Sequence, residues 1–214
     1  MSLFITFEGG EGSGKSTQSR RLYEKLKSLN IPAVLTCEPG GTPLGEEVEK
    51  WLKWGHDKKI TPLTELMLFN AARSQSVSEV ISPNLKAGKV VISDRYSDST
   101  TVYQGYGRGL DMEMVLSVNR AAIQGVIPDL TILLDTPVKT GATRKQGDKP
   151  DRFEQEEAAF HQRVKDGYLT LANQEPERWL VVNGDQSQEA IAGIIWQRVK
   201  ALLTKEGLKL PADA

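Results

Sequence analysis

The chain has a single cysteine, Cys37, among 214 residues. An internal disulfide is therefore impossible, and a lone thiol suits a reducing cytoplasm, the expected location. Such a cysteine is expected to be a small buried apolar residue rather than a reactive one. Only two histidines occur, His56 and His161, and neither has a partner at metal-ligand spacing, so both are expected at the surface. No apolar run approaches the ~18 residues that a membrane span needs. Met1 to Phe7 lacks a basic n-region and a small-residue cleavage site, so no targeting peptide is expected. Neither sign of charge is in surplus: 27 basic residues face 28 acidic ones. A nucleic-acid partner normally leaves a basic excess or a basic run, and none is expected here. Long linkers, internal repeats and low-complexity tracts are also missing. What remains has a globular composition, and its length suits one domain over residues 1–214.

Short apolar runs alternate with longer helical patterns. The runs Leu3 to Phe7, Ala33 to Cys37, Lys89 to Ser93, Leu130 to Asp135 and Trp179 to Val182 carry few charges. That is expected of strands buried on both faces of a parallel sheet. Helical stripes fall between them: Leu22, Leu26 and Leu29 in Lys15 to Leu29; Met114, Val118 and Ala122 in Asp111 to Gln124; Ile191, Ile195, Val199 and Leu202 in Ser187 to Leu203. Asp185 or Ser187 is placed to cap the last of these. The alternation predicts a doubly wound α/β fold with a parallel five-stranded sheet. Ligands of such folds sit beyond the carboxyl ends of the strands, so the residues just after each strand carry the functional expectation.

After the first strand stands Gly9-Gly10-Glu11-Gly12-Ser13-Gly14-Lys15-Ser16, which fits G-x-x-x-x-G-K-[ST] between a strand and a helix. Glycines let backbone N–H groups turn inward and approach phosphates closely. The following helix points its positive end at them. Lys15 brings charge to the β- and γ-phosphates, and Ser16 is placed to coordinate magnesium. A chance match in a chain this long is on the order of one per cent. The expected donor is thus a magnesium nucleoside triphosphate, bound by Gly9, Gly10, Glu11, Gly12, Ser13, Gly14, Lys15, Ser16 and Thr17. No N-K-x-D signature points to guanine.

The acceptor is suggested by the segment after the third strand, Asp94-Arg95-Tyr96-Ser97-Asp98-Ser99-Thr100-Thr101-Val102-Tyr103-Gln104. Arg95, at a strand's carboxyl end, is placed to hold an incoming phosphate in line with the triphosphate, and Asp94 to hold a magnesium-bound water. A phosphate oxygen is already a competent nucleophile, so positioning and charge neutralisation carry the catalysis. Phe69 and Arg73, four apart, share one helix face. An aromatic plane there can stack on a base while an arginine donates to a base carbonyl.

This segment resembles the thymidylate kinase signature D-R-[FYH]-x-x-S-[ST]-x-[AV]-[FY]-Q at every position. Glu38-Pro39-Gly40-Gly41-Thr42 is similar to the family's E-P-G-G-T loop, and Leu68 to Arg73 to its L-F-x-A-x-R helix. Gly107-Arg108-Gly109, Pro128 to Thr131 and Asp151 to Glu154 match later blocks. The resemblance implies transfer of the γ-phosphoryl of ATP to dTMP, a homodimer, and small-molecule partners only. It assigns dTMP binding to Glu11, Pro39, Phe69, Arg73, Arg95, Ser99, Tyr103 and Gln104. Within that set Phe69 stacks on thymine, Arg73 contacts its O4, Gln104 reads the base edge, Tyr103 sits by the sugar and Glu11 meets its 3′-hydroxyl. Arg108 is either an acceptor-side cation or a loop charge. The exposed apolar face that serves the dimer is expected either at Trp51 and Trp54 or on the helix Asp111 to Gln124.

Some members of the family carry a catalytic arginine in the phosphate loop and others in a lid. Gly12 stands at that loop position here, so the lid, about residues 139–153 and including the polar stretch Lys145 to Asp151, must supply the cation. Arg144, favoured by its spacing from Asp135, and Arg152 are the candidates, with Lys145 and Lys149 as weaker substitutes. Arg152 has the alternative of pairing with Glu154 or Glu156. The catalytic set expected is Lys15, Arg95, Arg144, Arg152 and Glu11. Cys37 departs from the arginine that commonly precedes E-P-G-G-T in the family. A kinase for another nucleoside monophosphate or a deoxynucleoside, and a nucleotide-binding switch without an acceptor, stay open as alternatives.

Overall fold

The computed structural model describes residues 2–55, 59–145 and 150–208. His56, Lys149 and the middle of the expected lid lie outside them. Strands β1 (Leu3–Glu8), β2 (Ala33–Cys37), β3 (Val90–Asp94), β4 (Leu130–Asp135) and β5 (Trp179–Asn183) form one all-parallel sheet in the order β2-β3-β1-β4-β5. All five were expected, and no end is shifted by more than one residue. The β1 side chains alternate between two cores. Leu3, Ile5 and Phe7 face α1 (Lys15–Ser28) and α9 (Gln188–Lys205), while Phe4 packs with Val77, Ile81, Val91 and Tyr96. Burial on both faces explains why these strands read as continuous apolar runs.

The chain crosses to one side of β1 for β2 and β3 and to the other for β4 and β5. The carboxyl end of β1 therefore lies at the reversal, where a crevice forms. The register aligns Phe7 with Asp94 and Glu8 with Leu133, bringing the loops after β1, β3 and β4 to one edge.

The second face is covered by α2 (Pro43–Trp54), α3 (Pro62–Ser76) and α8 (Ala158–Gln174). A π-helical turn, Val77–Ile81, leads from α3 into α4 (Ser82–Lys86), and α5 (Ser97–Thr100) runs into a second one, Thr101–Gly107. Next come α6 (Met112–Ile123) and α7 (Val138–Arg144). Ser187 caps α9 by accepting from the Ala190 N–H at 3.2 Å, which decides between the two caps the sequence offered. The α6 stripe is rotated from the expected Met114–Val118–Ala122: Val115, Asn119 and Ala122 are the buried residues. Asn119 is turned inward because it accepts from Arg73 at 3.2 Å and donates to Thr101 at 3.0 Å, and polar partners outweigh apolar periodicity there. Trp51 and Trp54 do face solvent, at 50% and 47% exposure. Among the described residues no helix is long and apolar enough to cross a membrane.

One largely buried ion pair ties the acceptor-side helix to the sheet. Asp98 on α5 meets Arg178, just before β5, at 2.6 Å, and Arg178 also donates to the Thr131 hydroxyl on β4 at 2.7 Å. Removing one member leaves the other charge with little water. Arg178→Ala is therefore expected to lower the unfolding free energy by about 3 kcal/mol. Urea denaturation checks this, and a change under about 1 kcal/mol contradicts it.

Candidate active site

The phosphate loop wraps the amino end of α1, whose first turn has no side-chain cap because Gly14 precedes it. Its first N–H groups are thus left for an anion. Lys15 folds over the loop, donating to the carbonyls of Gly9 at 3.1 Å and Gly10 at 2.7 Å. Burial, with the positive charge of Arg95 beside it, lowers its ammonium to about 8. The Ser16 hydroxyl donates to Asp94 Oδ2 at 2.5 Å, so the two residues expected at magnesium meet at one point. A hydroxyl and a carboxylate beside the phosphate cradle suit a hydrated divalent ion whose other ligands come from the nucleotide. Among the described residues no group of three or more His, Cys, Asp or Glu side chains forms a metal cage.

Arg95 is the crossing point of the site. Its backbone is left-handed, φ 72°, uncommon for a residue with a side chain. From there the guanidinium reaches back over the loop. It donates to Glu11 at 2.5 Å, Tyr103 Oη at 3.2 Å, Ser99 Oγ at 3.1 Å and the Gly9 carbonyl at 3.2 Å. Tyr103 also donates to Glu11 at 2.8 Å. Burial would raise the Glu11 carboxyl, but the charges of Arg95 and Lys15 and the Tyr103 hydrogen bond outweigh it and hold Glu11 at about 2. Behind Arg95 lies Glu8, which accepts from Ser99 Oγ at 2.6 Å, Tyr168 Oη at 2.9 Å and the Tyr96 N–H at 2.9 Å. Burial, with the charge of Asp98, pushes Glu8 up to about 7.

Two hollows meet at this arginine. A cleft of about 720 Å³ is lined by the loop from Glu11 through Thr17, with Asp94, Arg95, Arg144 and Gly184. A cavity of about 70 Å³ is lined by Pro39, Phe69, Ser99, Tyr103, Gln104 and Phe153. Glu11 and Arg95 belong to both. The π-helical turn presents Tyr103 and Gln104, neighbours in sequence, to the same cavity. Such turns recur at functional sites because they redirect side chains.

Several expected residues are placed differently. Arg73 sits behind the cavity wall, 1% exposed, donating to Glu38 at 2.8 Å, to Asn70 and Asn119 at 3.2 Å each, and to the Tyr96 carbonyl at 3.1 Å. Arg152 lines neither hollow; it pairs with Glu65 at 2.5 Å rather than with Glu154 or Glu156. Lys145 is the residue that takes Glu154, at 2.7 Å. Arg108 is neither at the acceptor nor a free loop charge: it bonds Glu65 and Glu156 and lies 4.8 Å over the Phe160 ring. Arg144 donates to the Gly184 carbonyl at 3.0 Å on the cleft wall. Cys37 corrects its expectation. The residue is exposed at the rim of the cleft. Partial burial of the thiol, with Glu49 and Asp94 near it, pushes it up to about 11, so it stays a thiol at neutral pH.

Sequence reasoning missed Glu8, Glu65 and Tyr168. Glu8 and Glu65 carried a signal, each being a carboxylate at the end or start of an apolar pattern. Tyr168 carried none, since its partners lie 69 and 160 residues away.

Gly12 has a structural reason to be glycine. Its φ is 67°, and a Cβ there would stand 2.2 Å from the Gly141 carbonyl of α7, while one on Gly141 would stand 2.3 Å from the Glu11 carbonyl. Loop and helix meet backbone to backbone, leaving no room for an arginine at position 12. Helix propensity alone predicts that Gly141→Ala stabilises by about 0.5–1 kcal/mol. The collision reverses the sign, giving a net loss of about 1–3 kcal/mol. Thermal or urea denaturation reads the sign directly, and a stabilised variant contradicts the contact.

A phosphate loop in an all-parallel sheet, with a second pocket opening from it past Arg95, defines a P-loop phosphotransferase of the nucleoside monophosphate kinase kind. The family profile described as thymidylate kinase matches residues 7–195. The thymidylate kinase of Dehalococcoides mccartyi strain 195 is 53% identical over 203 residues, covering 95% of this chain and 98% of that one. That of Syntrophotalea carbinolica is 44% identical over 218 residues, covering 99% of each. A crystal structure of thymidylate kinase from Ehrlichia chaffeensis superposes with a TM-score of 0.75 at 36% identity, covering 94% of this chain and 98% of that one. The chain belongs to the thymidylate kinase family.

Proposed function

We propose that this chain transfers the γ-phosphoryl group of ATP to dTMP, giving dTDP and ADP. The observation that carries the reading is the pair of hollows sharing Glu11 and Arg95. A donor cradle opens directly into an acceptor pocket whose common wall is an arginine.

Lys15 and the uncapped end of α1 hold the β- and γ-phosphates of ATP, aided by Gly9 through Thr17. The acceptor phosphate displaces Glu11 or Tyr103 as partner of Arg95, which keeps its oxygen in line with the γ-phosphorus. That oxygen forms the new bond to phosphorus as the bond to the ADP oxygen breaks, and no strong protein base is needed. Arg144 is the cation for the charge on the transferring group, supported by its place on the cleft wall. Arg152, held by Glu65, is a structural member of the lid base. Bound magnesium would neutralise phosphate charge, with Ser16 as its protein hydroxyl and Asp94 orienting its water. Phe69 and Pro39 flank the base, Gln104 reads its edge, and Tyr103, Ser99 and Glu11 surround the sugar and phosphate. Arg73 has one N–H left for the O4 carbonyl, which it reaches by coming forward from its place behind the cavity wall. We read residues 1–214 as one kinase domain whose lid is about 139–153, acting in the cytoplasm, where a lone thiol is at home.

ADP release with magnesium and ATP tests the assignment when dTMP, dUMP, dGMP, UMP, CMP or AMP is added in turn. dTMP is expected to accelerate it most. No acceleration by any of them removes the kinase reading, and a better AMP or UMP removes thymidylate. Arg144→Ala is expected to lower turnover by roughly 10³-fold, the scale of an arginine finger. Near wild-type turnover transfers the role to another cation.

The homodimer rests on an exposed apolar surface: Leu44, Trp51 and Trp54 on α2, Leu63 and Met67 on α3, and Leu116 on α6. Helix α3 adjoins both α2 and α6, so it links the two faces proposed from the sequence. Sedimentation is expected to give twice the chain mass for the wild type and the single mass for Met67→Glu. A monomeric wild type, or a dimer unaffected by the charge, contradicts this surface.

A further inference from the structure

Among the described residues, Glu65 is the most heavily bonded carboxylate outside the phosphate site. It lies on the first turns of α3 and is fully buried. Its Oε1 accepts from Gln104 Nε2 at 2.7 Å and from Arg108 Nε at 3.1 Å. Its Oε2 accepts from Arg108 Nη2 at 3.2 Å and Arg152 Nη2 at 2.5 Å. Arg152 and Arg108 in turn lie 4.7 and 5.9 Å over the ring of Phe153, which packs against Phe69 at 5.7 Å.

The consequence for Gln104 is chemical. A primary amide has one arm that donates and one that accepts, and crystal densities alone rarely tell them apart; the partners decide. A carboxylate oxygen can only accept, so the arm toward Glu65 is the NH₂. Gln104 lines the 70 Å³ cavity and Glu65 does not, so the arm left for the cavity is the carbonyl oxygen Oε1. The amide cannot turn over, because that would set its oxygen against a buried carboxylate.

We propose that Glu65 is a specificity-determining residue that acts through Gln104. By fixing the amide it presents a hydrogen-bond acceptor to the base, and so selects pyrimidines that carry an N–H at ring position 3 over those with a lone pair there. Thymine and uracil have that N–H; cytosine has the lone pair. The three bonds to Arg108 and Arg152 also hold the Phe153–Phe69 wall in place, but a wall discriminates by shape, whereas a fixed amide discriminates by donor and acceptor. Sites built to bond a particular group reject its mismatch strongly because their own polar atoms are then left unpaired.

This rests on the dTMP reading above, and the test separates the two. The measurement is kcat/KM for dTMP and for dCMP with the whole enzyme, for the wild type, Glu65→Gln, Gln104→Met and the double variant. Glu65→Gln gives Gln104 a neighbour that can donate, so the amide is free to turn. The dTMP-to-dCMP preference is expected to fall about tenfold or more. With Gln104 already replaced by Met, Glu65→Gln is expected to leave that preference within about twofold, because the residue that transmits the effect is gone. A merely structural Glu65 would weaken both substrates alike, and an unchanged ratio, or an equal change in both backgrounds, overturns the proposal. N3-methyl-dTMP, assayed with the unaltered enzyme, needs no variant to fold. It is expected to lose at least a hundredfold, and acceptance on a par with dTMP also overturns the proposal. Absence of turnover with every monophosphate overturns the underlying reading instead.

Discussion

The contact on which the rest of the site depends is the bond between Arg95 and Glu11, 2.5 Å long. It joins the loop after β1 to the end of β3, two segments 84 residues apart. The sheet sets them side by side, since Phe7 and Asp94 are paired in register. A left-handed backbone at Arg95 then turns its side chain over the loop rather than away from it. Residues held in sparsely populated conformations persist when their surroundings over-determine them. Here five acceptors on four segments do so, Tyr168 Oη on α8 at 3.4 Å being the fifth. Such an arginine is preorganised, which matters in a reaction where positioning and electrostatics carry most of the rate.

Three buried carboxylates stand around that centre, and each is balanced differently. Glu65 faces two arginines and an amide. Among the described residues Glu38 pairs with Arg73 alone and its Oε1 has no partner; burial raises its carboxyl and the Arg73 charge opposes the rise. Glu8 has neutral donors alone, from Ser99, Tyr168 and Tyr96 N–H, and burial, with the charge of Asp98, takes it up to about 7. The arginines that sequence reasoning assigned to the nucleotide are partly consumed by these acids. A cation in a binding site is informative only once its carboxylate partners are known, and those partners come from segments far along the chain.

The lid shows the same principle through backbone shape. An arginine in the loop and a lid helix seated on the loop are mutually exclusive here, because Gly12 and Gly141 touch without side chains. The loss of one catalytic option and the placement of Arg144 on the cleft wall therefore have a common cause in packing.

Much of this was legible from the residues in order. Strand positions follow from apolar runs of the right length, and the phosphate loop from glycine spacing before Lys15. The acceptor segment from Asp94 to Gln104 follows from position after a strand. These are local signals, and local chemistry decides them. Burial of Asn119 instead of Val118, exposure of Cys37, the retreat of Arg73 behind the cavity wall and the capture of Arg108 and Arg152 by Glu65 were not legible. Each depends on which charges and hydrogen-bonding groups meet across tens of residues, and a buried charge takes whichever partner the fold brings within about 3 Å, since being left unpaired costs more than any local preference. The sequence by itself determined the sheet, the donor loop and the kind of reaction. Tertiary structure decided which cations remain for phosphate and which way Gln104 faces the base.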